Sequence, residues 1–374
     1  MKIAIIGQKG IPAVSGGVET HVEELSIKLA EKGHEVYVYT RPNYTDKNLK
    51  EHRGVNLISL PSIPTKHLDA ISHTFFACFD ILRRNIDVAH FHSIGPSFWI
   101  WLLKILKPKT PVVATFHTLC YQHKKWKLFA RFSLRLGEYV CCNMADKVIT
   151  ISKGLKKYVL KKYKKEAEYI PNGVLKSEFY KVKEIKQKWE LEKDSYVIIV
   201  SRLIQHKGIH YAIKAFKKIN TDKKLVIVGD GFFTDTYTEE LRALAASDKR
   251  IIFTGRQTGK ILKEFFSNAY AFIQPSESEG LSISLLEAMS YGLGTLVSDI
   301  PENLEAIEDT GFSFKNKDVD NLKEKIKYII NHPDEVKNKG TLAKKRVEKY
   351  YNWDVIVDGV LEVYQKAVDE KKKL

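Results

Sequence analysis

Short apolar runs rich in Val, Ile and aromatic residues alternate along the chain with stretches whose apolar residues recur every three or four positions. KIAIIG at 2–7 reads as a buried strand. Behind it, Val18, Val22, Leu25 and Leu29 share one face of a helix expected over Val18–Lys32, and Gly33 stands where a helix C-cap belongs. EVYVYT at 35–40 is the next strand. Val55–Leu60, Asp87–Phe91, Val112–Phe116, Lys147–Ile151 and Glu168–Ile170 continue the series, with helical patterns between most of them. Such alternation predicts a parallel sheet covered on both faces.

A second series opens at Tyr196–Ser201 (YVIIVS) and runs through Lys224–Val228, Arg250–Thr254, Tyr270–Gln274 and Thr295–Ser298. Between the two lies Leu175–Asp194, charged and poor in strand signal, which reads as a linker. Trp353–Lys372 reads as one long helix with Val357, Leu361 and Tyr364 on a common face. The pattern predicts an α/β protein of two doubly wound domains in tandem. Ligands in such sheets sit beyond the C-terminal strand ends, and two facing domains place the expected site in the cleft between them. No apolar run reaches the ~18 residues a membrane span needs. The nearest, SFWIWLLKIL at 97–106, is interrupted by Lys104, and MKIAIIGQKG is not read as a signal peptide.

Composition is ordinary for a globular protein: 44% hydrophobic and 28% charged over 374 residues, which excludes wholesale disorder. Charge changes the picture more. Of the net +16, residues 1–190 carry 32 Lys and Arg against 17 Asp and Glu, whereas the remainder is nearly balanced. The first half is therefore expected to face something anionic, whether a membrane surface, a nucleic acid or an acidic substrate; a lysine-rich, merely soluble surface is the plainer reading. Cys78, Cys120, Cys141 and Cys142 show no CxxC spacing, so a reduced, cytoplasmic protein is expected.

Several segments carry candidate chemistry. The loop Gly7–Gly17 is neither a GxGxxG nor a GxxxxGK[ST] motif, yet it is glycine-rich and enters a helix, so the amides at Gly16 and Gly17 can approach an anion; a plain tight turn is the alternative. Arg202 follows the strand YVIIVS, and Lys207 stands just before Gly208 and a helix. Two cations there suit a diphosphate, or else they are solvated surface charges. QPSESEGLSISLLEA at 274–288 places Glu279 in a loop ahead of a helix expected from Ser282 to just before Gly292, and Glu287 inside it. The amides of Gly280, Leu281 and Ser282 then meet a phosphate, and the carboxylates accept from polyol hydroxyls. The alternative is a first-turn dipole partner and an ordinary helix charge. His117 ends the strand VVATFH, where it can donate a hydrogen bond or shuttle a proton, or be structural. His90-x-His92 has metal-like spacing but no third ligand nearby in sequence, so loop histidines satisfied by the protein are expected and no metal is assigned. The stretches 121–135 and 153–165 set lysines and arginines around apolar stripes. That pattern suits an anionic membrane interface, or helices whose stripes simply face the sheet. No RNP, helix-turn-helix or zinc-finger pattern supports nucleic acid.

Taken together, the chain resembles family 4 of the retaining glycosyltransferases, the group 1 transferases of the GT-B fold. The segments that carry the resemblance are GGVETHVEELSIKLAEKGHEV, TFH at 115–117, IPNGV at 170–174, SRLIQHKG at 201–208, VGDG at 228–231, FTGR at 253–256 and EGLSISLLEAMSYG at 279–292. GQKGIPAVSGGVET further resembles a bacterial and archaeal subgroup that builds surface polysaccharides and glycoconjugates. The resemblance implies two Rossmann-like domains, 1–180 on the acceptor side and 181–352 for a nucleotide sugar, with a helix at 353–374 crossing back to the first. It implies a UDP- or GDP-sugar donor, no metal or other cofactor, and transfer with retention to a saccharide, lipid-linked or other glycoconjugate acceptor. The basic first domain is then expected to bind an acidic or lipid-linked acceptor at the cytosolic face of a membrane, as a cytoplasmic, peripheral protein. In the roles the resemblance implies, Arg202 and Lys207 hold the donor diphosphate and Glu287 the ribose hydroxyls. Glu279, with the amides of Gly280, Leu281 and Ser282, contacts the transferred sugar and phosphate. Arg256 flanks the base, Gly16 and Gly17 close on the diphosphate, and His117 touches the sugar hydroxyls. The family usually has EGFG where this chain reads Glu279-Gly280-Leu281-Ser282, so Ser282 is expected to narrow the pocket and add a hydroxyl. It often has proline at Gly294. A nucleotide-sugar epimerase and a non-catalytic polyanion-binding protein are the competing readings.

Overall fold

Ile3 and Ile5 of the first strand turn to one face of a sheet, and Ala4 and Ile6 to the other; none of the four has exposed surface. A strand covered on both faces carries an apolar run in place of polar alternation, as Ile3–Ile6 does. The computed structural model describes residues 1–14, 16–65, 68–119, 128–231 and 235–373, without the side chains of 128–130 and 235. Cys120 and the first part of the basic, aromatic stretch at 121–135 lie outside the described residues.

The chain divides into two compact units, Met1–Gly173 with Trp353–Leu374, and Val174–Asn352. The first unit contains β1 (Lys2–Ile6), α1 (Gly17–Glu31), β2 (Glu35–Thr40), β3 (Glu51–His52), β4 (Val55–Ser59), α2 (Asp69–Leu82), β5 (Val88–His92), α3 (Ile100–Leu106), β6 (Val112–Phe116), α4 (Leu128–Met144), β7 (Lys147–Thr150), α5 (Lys153–Tyr163) and β8 (Glu168–Tyr169). Its sheet runs β3-β4-β2-β1-β5-β6-β7-β8, parallel except for the β3–β4 hairpin. Ile3, Ile5, Val36, Val38 and Val88 pack against α1 and the C-terminal helix Trp353–Lys372. On the opposite face Ala4, Ile6, Ala89 and Phe91 pack against α2, α3 and α4. The C-terminal helix is part of this unit through Trp353, Ile356, Val357, Val360 and Tyr364.

The second unit contains α6 (Glu184–Trp189), β9 (Tyr196–Val200), α7 (Ile209–Phe216), β10 (Lys224–Val228), α8 (Asp235–Ala245), β11 (Ile251–Gly255), α9 (Gly259–Asn268), β12 (Ala271–Gln274), α10 (Ile283–Ser290), β13 (Gly294–Ser298), α11 (Pro301–Ile307), β14 (Phe312–Phe314), α12 (Val319–Asn331) and α13 (Pro333–Tyr350). Its sheet runs β11-β10-β9-β12-β13-β14, all parallel. Strands are added outward from β9 on one side, then from β12 on the other. The reversal between β9 and β12 is the switch point at which doubly wound sheets bind ligands. In the first unit the same reversal falls between β1 and β5.

Leu175–Asp194 is not a linker. The Glu264 carboxylate on α9 accepts from the amides of Lys183 and Ile185, and Asn268 donates to the Tyr180 carbonyl. Ile185 is fully buried. The stretch is thus folded into the second unit, and the units divide between Gly173 and Val174, earlier than the expected boundary at 180. Its lysines face water, and that solvated face hid two buried anchors, Ile185 and Leu191. Among the described residues no helix is long and apolar enough to cross a membrane. Cys78, Cys141 and Cys142 are buried thiols.

Candidate functional site

In the second unit β9 ends at Val200, and Arg202 follows as an exposed side chain. The chain then makes a 3-10 turn, Gln205–Lys207, closed by Gly208 at φ +66°. A Cβ at Gly208 would lie 1.9 Å from the Pro275 carbonyl oxygen, so only glycine lets this turn press against the loop after β12. The Glu277 amide fastens the two loops by donating to the His206 carbonyl at 2.7 Å. The result is a direct ion pair: Lys207 Nζ donates to Glu279 Oε1 at 2.6 Å, with both side chains largely buried. A cation and an acid 72 residues apart therefore meet at the switch point between β9 and β12.

Ser282 caps α10. Its hydroxyl accepts from the Leu285 amide at 3.4 Å and donates to Gln274 Oε1 at 2.7 Å. Gln274 donates onward to Asn303 Oδ1, and Asn303 to the Ser298 carbonyl and hydroxyl. The expected extra hydroxyl in the pocket is thus a correction: it is turned into a buried polar chain that ties β12, β13, α10 and α11 together. Reasoning from the sequence missed Gln274, Ser298 and Asn303; the one available signal was a glutamine closing an otherwise apolar strand. Leu281 is buried and Gly280 partly so. Glu287 is partly buried on α10, and desolvation pushes its carboxyl up to about 7. Arg256 is exposed just after β11. Arg256, Arg202 and Glu279 all follow C-terminal ends of strands in one sheet, so they share its ligand side. Gly294 is explained by packing, since a Cβ there would meet Val336 Cγ1 at 2.5 Å.

In the first unit Gly7, at φ +111°, brings β1 so close to β5 that a Cβ would stand 2.4 Å from the His92 carbonyl oxygen. Arg41, buried, donates to the Gly7 carbonyl and pairs with Asp69 at 2.8 Å. Gly16 is the N-cap residue of α1 at φ +110° and makes no side-chain cap. A Cβ there would fall on the Glu19 carboxylate, which also accepts from the Lys9 amide at 3.3 Å. The start of α1 therefore already has an acid of its own beside it, a neighbour that the glycines alone did not reveal.

His117 follows β6 and is buried in a cluster of histidines drawn from three elements. Its Nε2 lies 3.0 Å from His92 Nδ1, and the His21 ring on α1 stands 5.2 Å away, centroid to centroid. The His90 ring lies 4.1 Å from that of His92, tilted against it, and is held by Thr115 and Tyr364. His90 and His92 are thus strand residues inside the sheet, not loop histidines. His21 and His117 supply the near neighbours that the sequence spacing lacked: one ring nitrogen from each of His21, His92 and His117 lies within 4.8 Å of the others. Burial lowers His21 to about 4 and His90 to about 3, and holds His92 and His117 well below the usual imidazole range. The cluster is neutral at pH 7, and each ring offers one donor and one acceptor.

Residues 181–346 match the family model described as "Glycosyl transferases group 1", and residues 15–176 the one described as "Glycosyltransferase Family 4". An uncharacterized glycosyltransferase of Methanocaldococcus jannaschii, MJ1607, is 27% identical, covering 99% of each chain. Alpha-monoglucosyldiacylglycerol synthase of Acholeplasma laidlawii is 26% identical over 100% of this chain and 99% of that protein. Among solved structures, Anabaena Alr3699/HepE in complex with UDP-glucose superimposes with a TM-score of 0.81 at 17% identity, covering 98% of this chain and 100% of that one.

Proposed function

The chain belongs to the group 1 glycosyltransferases of family 4 and has their GT-B fold, and on that premise we propose that it transfers a sugar from a nucleotide sugar to an acceptor hydroxyl with retention of anomeric configuration. The observation that carries this reading is the Lys207–Glu279 pair at the β9/β12 switch point, beside the start of α10 and the exposed Arg202. Arg202 and Lys207 neutralise the charge that grows on the departing diphosphate, and the amides of Gly280, Leu281 and Ser282 add to them. Glu279 accepts from sugar hydroxyls once the phosphate claims Lys207, Glu287 accepts from the ribose, and Arg256 flanks the base. To the first unit the reading assigns Gly16 and Gly17 as diphosphate contacts and His117 as a contact of the sugar hydroxyls. The acceptor attacks on the face from which the diphosphate leaves, and the departing phosphate oxygen takes the acceptor proton. Fixed cations do this work without a metal.

The UDP-glucose complex of the Anabaena protein supports a UDP-sugar donor, with a GDP-sugar next in order. The monoglucosyldiacylglycerol product named for the Acholeplasma relative supports a lipid acceptor over a free saccharide, and the basic first half of the chain supports a peripheral position on the cytosolic face of an anionic membrane. A thermal-shift panel of nucleotide sugars identifies the donor, since a bound donor stabilises the fold by mass action. Arg202→Ala is expected to fold normally and to cut release of nucleoside diphosphate ~100-fold or more. Unchanged turnover in that variant overturns the assignment, and a donor epimerised without acceptor, seen by NMR, replaces transfer with epimerisation.

A further inference from the structure

On the helices of the first unit, the exposed large apolar side chains are gathered on one of the two layers. Phe76 and Phe79 on α2, Ile105 on α3, and Phe132, Leu136 and Tyr139 on α4 all face water. On the opposite layer α1 contributes none and the C-terminal helix only Val355, among the described residues. The spacing is that of helix stripes: Phe76 and Phe79 are three positions apart, and Phe132, Leu136 and Tyr139 follow a four-three step. On α4, Val140 and Cys141 enter the core, so this helix has an apolar side facing the sheet and a second facing out. The layer is continuous. Phe75 of α2 meets Trp99, just before α3, at 4.9 Å between centroids. Gly137 of α4 presses on Ile94, where a Cβ would stand 2.1 Å from the carbonyl oxygen. Tyr158, Lys162 and Tyr163 of α5 converge on Glu138 of α4.

The charges on this layer are one-sided. Asp80 is taken by Arg84, Glu138 by Lys162, and Asp146 by Lys104. Arg83, Lys109, Lys156, Lys157, Lys161 and Lys164 are exposed, and none is paired with an acid among the described residues.

We propose that the α2–α5 layer is the face on which this protein rests against an anionic lipid bilayer. Phe76, Phe79, Phe132 and Leu136 enter the boundary between headgroups and acyl chains, and the unpaired lysines lie over the anionic headgroups. The proposal rests on the peripheral-membrane part of the reading above and not on the donor chemistry. Charge and apolarity select the occupant together. A bilayer offers both an anionic surface and an apolar interior, in the order in which this face presents its counterparts. A nucleic acid has no interior for Ile105 and Leu136, and a second copy would oppose like charges.

The test is co-sedimentation of the full chain with vesicles of phosphatidylcholine alone and of phosphatidylcholine mixed with phosphatidylglycerol. Binding is expected only to the mixed vesicles, weakening as salt rises. Phe76→Ser/Phe79→Ser/Phe132→Ser is expected to lower that binding ~10-fold or more. Lys156→Glu/Lys157→Glu/Lys161→Glu, which touches no core residue, is expected to abolish it. Donor-dependent release of nucleoside diphosphate, measured without vesicles, shows that both variants are folded and keeps the donor reading separate. Wild type that ignores the mixed vesicles overturns the peripheral reading. Wild type that binds while both variants bind equally well overturns this face. Salt-sensitive capture of an RNA oligonucleotide without vesicle binding, or a dimer that both variants dissolve, overturns the lipid assignment.

Discussion

Lys207 donates to Glu279 at 2.6 Å, so the cation proposed to hold a diphosphate is paired with an acid from the neighbouring loop. Removing one partner leaves a largely buried charge unmatched, and removing both does not. Lys207→Ala is expected to lower the stability of the second unit by about 2 to 3 kcal/mol. Lys207→Ala/Glu279→Gln is expected to recover most of that loss and none of the transfer activity. Urea unfolding of the two single variants and the double variant, followed beside nucleoside diphosphate release, checks this. A cycle with no coupling would mean that the pair is incidental.

Gly208 and Gly294 both sit where a Cβ collides with a neighbour, but they guard different things. Gly208 has φ +66° and would strike the backbone of the loop that leads to Glu279, whereas Gly294 would strike Val336 on α13. Gly208→Ala is expected to cost about 1 to 3 kcal/mol and to raise the donor KM as well, because the loop must move. Gly294→Ala is expected to cost a similar amount with KM unchanged. Melting curves and initial rates on the same preparations separate the two, and an equal KM effect from both would break the link between the 208 turn and the donor.

Both sheets were legible because IAII, after Lys2, and YVIIV are unbroken apolar runs, a pattern that strands covered on both faces use. The C-terminal helix was legible from its spacing, and so were the positions of Arg202, Lys207 and Glu279 beyond strand ends and of Glu287 inside a helix. What stayed hidden depends on contacts across the chain. Ile185 anchors a stretch whose lysines read as a linker. The histidines at 21, 90, 92 and 117 come together only through the strand order. Whether the Ser282 hydroxyl faces ligand or core is decided by Gln274, eight residues earlier, and no local pattern records which way it turns.

Glu287 makes a second, opposite-signed statement about stability. Its folded carboxyl titrates near 7 against an ordinary value of 4.5, because burial disfavours the charge. The folded chain keeps a proton that the unfolded chain releases, so stability is lost as pH rises from about 4.5 to 7. Glu287→Gln is therefore expected to stabilise the second unit above pH 7, by up to about 3 kcal/mol, while weakening donor binding. Donor affinity in wild type is expected to rise through pH 7 as the carboxylate forms to accept from the ribose. Calorimetric titration of the donor from pH 6 to 8, with the variant as control, measures it. A pH-independent wild-type affinity removes Glu287 from the ribose contact.

The first unit responds to acid in the other direction. Burial depresses His21 and His73 to about 4 and His90 to about 3, with His92 and His117 lower than usual as well. At pH 7.5 these imidazoles are neutral in both states and contribute no pH dependence. Below the unfolded value of 6.5 the unfolded chain takes up protons that the folded chain refuses, so stability falls with pH until the folded values near 4 are reached. Each ring costs about 1.4 kcal/mol by pH 5.5, and five of them together approach the whole stability of a typical domain, on the order of 5 to 15 kcal/mol. Glu287, in the second unit, favours folding over the same interval. Among the described residues three tryptophans, Trp99, Trp101 and Trp353, belong to the first unit against Trp189 in the second, so fluorescence reports mainly on the first. Its urea midpoint is expected to drop steeply between pH 7 and 5.5, and His90→Gln, which keeps hydrogen-bonding groups without a titrating ring, is expected to flatten that slope. A midpoint that holds constant to pH 5 would mean that the cluster accepts protons in place, and the neutral assignment of His117 would fall with it.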